Sequence, residues 1–247
     1  MNYNKLPEMI LFDVGGTLFD DTRCIAFDGL SQLRLYAENP DVTNNETLAK
    51  LWDEYMDEIG SGTKSKSGHT IDFPLSATIK YVTMKAGLHF KISLSQQEEV
   101  FDRFNSQRKV ISGVVDLLKT LDDLKIRSAV ISNNAMSGES LHMAIKKWIP
   151  LEKFEFCLTS ADLHLAKPCK EIFVCAANYA GVPCENCWYC GDSKVADVEG
   201  AFNSGMTPVL LDQSMSEPFE MRTNGNGKRY FVVSNWSVLE SRIRELI

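Results

Sequence analysis

Short apolar runs and helix-spaced apolar positions alternate through most of this chain. The runs Met9-Ile10-Leu11-Phe12, Ala129-Val130-Ile131 and Trp188-Tyr189-Cys190 read as strands buried on both faces. Phe156-Cys157-Leu158, Pro208-Val209-Leu210-Leu211 and Tyr230-Phe231-Val232-Val233 read the same way. Between them, Val114, Leu117, Leu118, Leu121 and Leu124 recur at helical spacing, predicting a helix over 113–125. Further helices are expected at 139–148, 169–180 closing at Gly181, 195–204 closing at Gly205, and 237–246. Strands separated by helices of this length imply right-handed crossovers and a largely parallel sheet.

Residues 21–110 follow another rhythm. Leu48, Leu51, Trp52, Tyr55, Met56 and Ile59 mark a helical face, and strand-like runs are almost lacking. A segment rich in glycine and serine, Gly60 to Gly68, interrupts this stretch and suits a mobile loop. The pattern predicts an α/β core with a helical insertion after its first strand.

Composition narrows the picture little. Apolar residues make up 44% and charged residues 24% of 247 residues, as expected of a globular protein. The net charge of −7 argues against general nucleic-acid binding. No window approaches the ~18 apolar residues of a membrane span, and Met1 to Lys5 lack the apolar stretch of a secretory signal. Seven irregularly spaced cysteines do not form a disulfide framework, so a reduced, cytoplasmic setting is expected. Cys184, Cys187 and Cys190 have C-x₂-C-x₂-C spacing, but they enter a buried strand and have no fourth partner; core cysteines are the better reading.

The candidate chemistry gathers at the strand ends. Asp13-Val14-Gly15-Gly16-Thr17, Ser132-Asn133, Lys167-Pro168, and Gly191-Asp192-Ser193 with Asp197 each lie at or just beyond a predicted strand's C-terminal edge. Open α/β sheets bind ligands at that edge. A carboxylate beside a divalent cation can attack phosphorus. A hydroxyl, amides and a lysine can hold the phosphoryl oxygens as charge redistributes.

These four motifs, in this order and spacing, resemble the haloacid dehalogenase superfamily over nearly the whole chain. The stretch from Gly191 to Ala201 is the most specific part. The resemblance implies a Rossmann-like core of residues 1–20 and 111–247, with an α-helical cap domain at 21–110. It implies a hydrolase that uses Mg²⁺ and acts on a small phosphorylated substrate through an aspartyl-phosphate. By position, Asp13 would be nucleophile and Mg²⁺ ligand, the Gly15 carbonyl and Asp192 further ligands, and Asp197 a ligand directly or through water. Ser132 and Lys167 would hold the phosphoryl group, Lys167 would also offset the charge on Asp13, Thr17 would steady the first loop, and Asn133 would offer a backbone amide. Neither a nucleic-acid nor a membrane partner is expected, and oligomeric state is not legible.

One position departs from the resemblance. Phosphatases of this kind usually carry a second aspartate where this chain has Gly15. Glycine can present a carbonyl to a metal but cannot transfer a proton, a role worth roughly 10²–10⁴-fold. Asp20 and Asp21 more plausibly shape the entry to the cap than replace that acid, and His69 and Asp72 are weaker candidates. Three readings follow. The first is a phosphohydrolase that favours leaving groups needing little protonation. The second is a phosphonatase-like enzyme using a cap lysine such as Lys64 or Lys66, and the third a binding module that has lost turnover. A dehalogenase of the founding type fits Gly191-Asp192-Ser193 less well.

Overall fold

The structure is a computed structural model describing residues 5–59, 64, 68 and 70–247. The first strand, β1 (Met9–Phe12), is buried at every position. After it come β2 (Phe19–Cys24), the helices α1 (Ala26–Leu35), α2 (Asn45–Ile59), α3 (Leu75–Lys85) and α4 (Leu94–Asn105), and β3 (Ser106–Val110). The remainder alternates: α5 (Val114–Asp123), β4 (Arg127–Ser132), α6 (Gly138–Trp148), β5 (Cys157–Thr159), the short α7 (Ser160–Leu163), α8 (Lys170–Ala180) and β6 (Cys187–Gly191). A π-helical turn over Lys194–Glu199 runs into α9 (Gly200–Ser204), followed by β7 (Thr207–Leu211), β8 (Phe219–Thr223), β9 (Arg229–Val233) and α10 (Trp236–Arg244).

The seven-stranded sheet has the order β5-β4-β1-β6-β7-β9-β8. Its strands are parallel except β8, which runs antiparallel to β9 at the edge. Beyond β1 the chain builds outward through β4 and β5, then returns to β6 on the other side. That reversal leaves a crevice above the carboxyl ends of β4, β1 and β6. Alternation along β1 supplies both faces. Met9 and Leu11 join Ile172, Phe173 and Tyr189 on one side, while Ile10 and Phe12 join Trp236, Phe154 and the helical layer on the other.

The helical expectation for 21–110 holds for most of that stretch. The apolar face of α2 packs through Trp52, stacked on Phe101 at 5.1 Å, and Tyr55, stacked on Tyr81 at 4.3 Å. The near-absence of strands does not hold. β2 and β3 pair as an antiparallel ribbon where the helical segment joins the sheet. β3 consists of Ser106, Gln107, Arg108, Lys109 and Val110, with positions alternating between half-buried and exposed, so no apolar run announced it. β8 was missed for the same reason. The expected helix at 195–204 exists, but its first turn is π-helical rather than α-helical. Most of the Gly60–Gly68 segment, and with it Lys66, lies outside the described residues, as do His69 and the side chain of Asp21. Among the described residues, no helix is long and apolar enough to cross a membrane.

Candidate active site

Asp13 follows the last residue of β1, and its backbone N–H donates to the Cys190 carbonyl at 2.9 Å, aligning it with the end of β6. The loop then wraps around the Val14 carbonyl, which accepts from Leu18 and Phe19. The Gly16 N–H donates to the Phe19 carbonyl at 2.8 Å. The hydrogen bonds flanking Gly15 therefore use the Val14 carbonyl and the Gly16 amide, and neither uses Gly15's own carbonyl. Gly16 has φ +69°, and a Cβ there would lie 2.2 Å from Asp192 Oδ2. Only glycine permits that approach.

The carboxylates of Asp13, Asp192 and Asp197 offer oxygens all within 4.8 Å of one another. Three acidic oxygens in so small a space suit a hard divalent cation. Burial raises the Asp192 carboxyl above its ordinary range, and the charges of Asp13 and Asp197 raise it further. A cation would relieve that repulsion, so the donor set fits Mg²⁺.

The three carboxylates are not equivalent. Asp197 is 2% exposed. Its Oδ1 accepts from Lys167 Nζ at 2.7 Å and its Oδ2 from the Ser193 N–H at 2.8 Å. With both oxygens engaged, Asp197 is arranged to orient the lysine and the Ser193 loop. Asp13 and Asp192 could then hold a cation directly. Gly191 serves this packing, because a Cβ there would meet Asp197 at 2.3 Å.

Lys167 is the hub. Its Nζ lies 2.8 Å from Asp13 Oδ1, 2.7 Å from Asp197 Oδ1 and 2.8 Å from Tyr189 Oη. An ammonium has three protons, and these contacts account for all three. Burial opposes the charged form, but Asp13 and Asp197 outweigh it and hold the Lys167 pKa above its ordinary value.

The remaining expected residues divide. Ser132 ends β4 and is 3% exposed. Asn133 lies beside it, but its side chain grips the backbone of Lys167: Oδ1 accepts from Lys167 N at 2.7 Å and Nδ2 donates to Lys167 O at 3.1 Å. The Thr17 carbonyl accepts from the Trp236 indole at 2.8 Å. The Thr17 hydroxyl is fully buried, without a hydrogen-bond partner among the described residues, so it faces no open substrate space. The sequence reading missed Tyr189. Its only signal was a tyrosine inside an otherwise apolar strand, where a buried phenol must find a partner.

Comparison with protein-family models matches residues 10–211 to the haloacid dehalogenase-like hydrolases. This chain belongs to that family. No curated protein matches it in sequence. A 2-haloacid dehalogenase from Pseudomonas syringae is similar over 98% of this chain and 100% of its own, at 20% identity and TM-score 0.62. A HAD phosphatase from Thermococcus onnurineus is similar over 94% and 96%, at 16% identity and TM-score 0.53. A putative HAD-hydrolase from Bacillus subtilis bound to magnesium is similar over 97% and 100%, at 18% identity and TM-score 0.53.

In this haloacid dehalogenase-like hydrolase, a segment of the helical insertion lies against the loops that carry the site. The Thr70 carbonyl accepts from the Ala166 N–H at 3.2 Å, one residue before Lys167. The Asp72 carbonyl lies 2.9 Å from His164 Nδ1. The Leu75 N–H donates to the Ala135 carbonyl at 2.6 Å, two residues after Asn133. Lys64 Nζ donates to Thr70 Oγ1 at 2.6 Å, which brings that lysine to the same rim. Asp20 is exposed on β2.

Proposed function

We propose that this haloacid dehalogenase-like hydrolase is a Mg²⁺-dependent phosphohydrolase of a small phosphorylated metabolite, working through an aspartyl-phosphate. The observation that carries this reading is the convergence of Asp13, Asp192 and Asp197 within 4.8 Å, with buried Lys167 bound to Asp13. Asp13 attacks phosphorus as the bond to the leaving oxygen breaks, and water then attacks the phosphorus of the aspartyl-phosphate to release inorganic phosphate. Lys167 offsets the charge of Asp13 and fixes one of its oxygens. Ser132, at the end of β4, is the hydroxyl assigned to the phosphoryl oxygens. Mg²⁺, when bound, screens the repulsion between the carboxylates and the phosphate and polarises the phosphoryl group.

Gly15 sets the expected preference. With no acid at that position, a leaving group of low basicity departs readily, while an alkoxide lacks its proton donor. Gly15 is not among the glycines with positive φ, so its backbone is compatible with aspartate. A panel of aryl and alkyl phosphates, assayed with Mg²⁺ on the wild type and Gly15→Asp, tests this. We expect alkyl phosphate turnover to rise about tenfold or more in the variant while aryl phosphates change little. Equal turnover of both classes by the wild type, unchanged by Gly15→Asp, would overturn the missing-acid account.

A second reading has one supporting contact. Lys64 donates to Thr70 Oγ1, and the Thr70 carbonyl accepts from Ala166 beside Lys167, so Lys64 is the lysine this reading would use for a phosphonatase-like Schiff base. Borohydride trapping with a phosphonoaldehyde separates the two, since adduct formation lost in Lys64→Met would favour the phosphonatase.

A further inference from the structure

Lys167 places one requirement on the site that its two carboxylate partners do not meet. Two of its protons go to Asp13 and Asp197. The third needs an acceptor, because a buried ammonium proton left unpaired is costly. Tyr189 supplies that acceptor. Its Oη lies 2.8 Å from Lys167 Nζ and donates its own proton to the Ile131 carbonyl at 2.7 Å. Tyr189 is fully buried on β6, Ile131 lies on β4, and the nucleophile's strand β1 runs between them. The phenol ring is itself held edge-on against Phe173 at 4.8 Å. Tyr189 Oη is thus fixed by the sheet, and it fixes Lys167 in turn.

We infer that Tyr189 is a positioning residue that takes the third proton of Lys167 and so aims the other two at Asp13 and Asp197. The lysine then acts on the reaction through Asp13. This deepens the phosphohydrolase reading and rests on it for its kinetic consequence.

The test is Tyr189→Phe, which keeps the ring and removes only the hydroxyl. With an aryl phosphate and Mg²⁺, kcat should fall about three- to tenfold, the worth of one hydrogen bond. KM and the inhibition constant of inorganic phosphate should stay unchanged or tighten, since the substrate loses no contact and a lysine proton is released. A purely structural role would appear as a smaller folded fraction, so rates are normalised to folded protein by thermal unfolding. An unchanged kcat, or a weaker KM with weaker phosphate inhibition, would overturn the inference. A second readout needs no turnover: a thermal-unfolding cycle of Tyr189→Phe, Lys167→Met and the double variant. The hydroxyl's contribution should shrink when Lys167 is already gone, and strict additivity would contradict the contact. A wild type without phosphatase activity would count against the proposed function, and the cycle would still decide the role of Tyr189.

Discussion

Gly16 shows how much of this site depends on a residue with no side chain. Its φ of +69° and the 2.2 Å approach of a would-be Cβ to Asp192 make alanine unfavourable on two grounds. Because Asp192 is crowded rather than Asp13 itself, the loss should fall on the ion. Wild-type protein should gain thermal stability with Mg²⁺, since a cation offsets the burial and the carboxylate repulsion that together raise the Asp192 carboxyl. Gly16→Ala should lose most of that gain while keeping its secondary structure, as read by Mg²⁺-dependent unfolding and circular dichroism. Asp13 and Asp192 were legible because each directly follows a strand, whereas Lys167, beyond α7, and Asp197, in the π-helical turn, were legible through the motifs they belong to. Tyr189 and the Asn133 clamp were not. Their partners lie 22 and 34 residues away, and a side chain that grips another residue's backbone leaves no pattern in spacing.

At the level of elements, the buried parallel strands announced themselves as apolar runs, and the helices between them by their spacing. The β2–β3 ribbon and β8 did not, because half-exposed strands carry polar residues on both sides of the alternation. The contact of α4 with α6 was equally hidden. Buried Glu98 on α4 accepts from Ser140 Oγ at 2.8 Å and Ser137 Oγ at 3.2 Å at the start of α6. Glu99 pairs with Lys147 near the other end of α6 and with Arg103 on its own helix. The Lys147 hydrogen bond chiefly holds the Glu99 carboxyl below its ordinary value of 4.5. A lowered carboxylate stabilises the fold above its unfolded pKa and loses that contribution as pH falls through the folded value. Glu99→Gln should therefore lower stability at neutral pH, by about 1 kcal/mol or less for a partly exposed pair. The difference from wild type should vanish in acid. Denaturant titrations at several pH values check this, and a deficit that persists in acid would assign the effect to packing.

Across the whole molecule, the sheet and the helical insertion meet at the site. One apolar cluster runs from Phe12, Val14 and Leu18 through Leu30, Leu33, Leu48 and Ile79. The segment Thr70–Leu75 is hydrogen-bonded to the loops around Ala135 and Ala166. This junction carries no motif that the sequence makes legible, whereas the motifs at the sheet edge were legible. A covalent bond from Asp13 to phosphorus would be caught by mass spectrometry of acid-quenched enzyme. After mixing with Mg²⁺ and an aryl phosphate, the peptide containing Asp13 should carry the mass of one phosphoryl group. The adduct should be absent without Mg²⁺ and in Asp13→Asn. Phosphate release that persists in Asp13→Asn, or an adduct on another residue, would contradict the account.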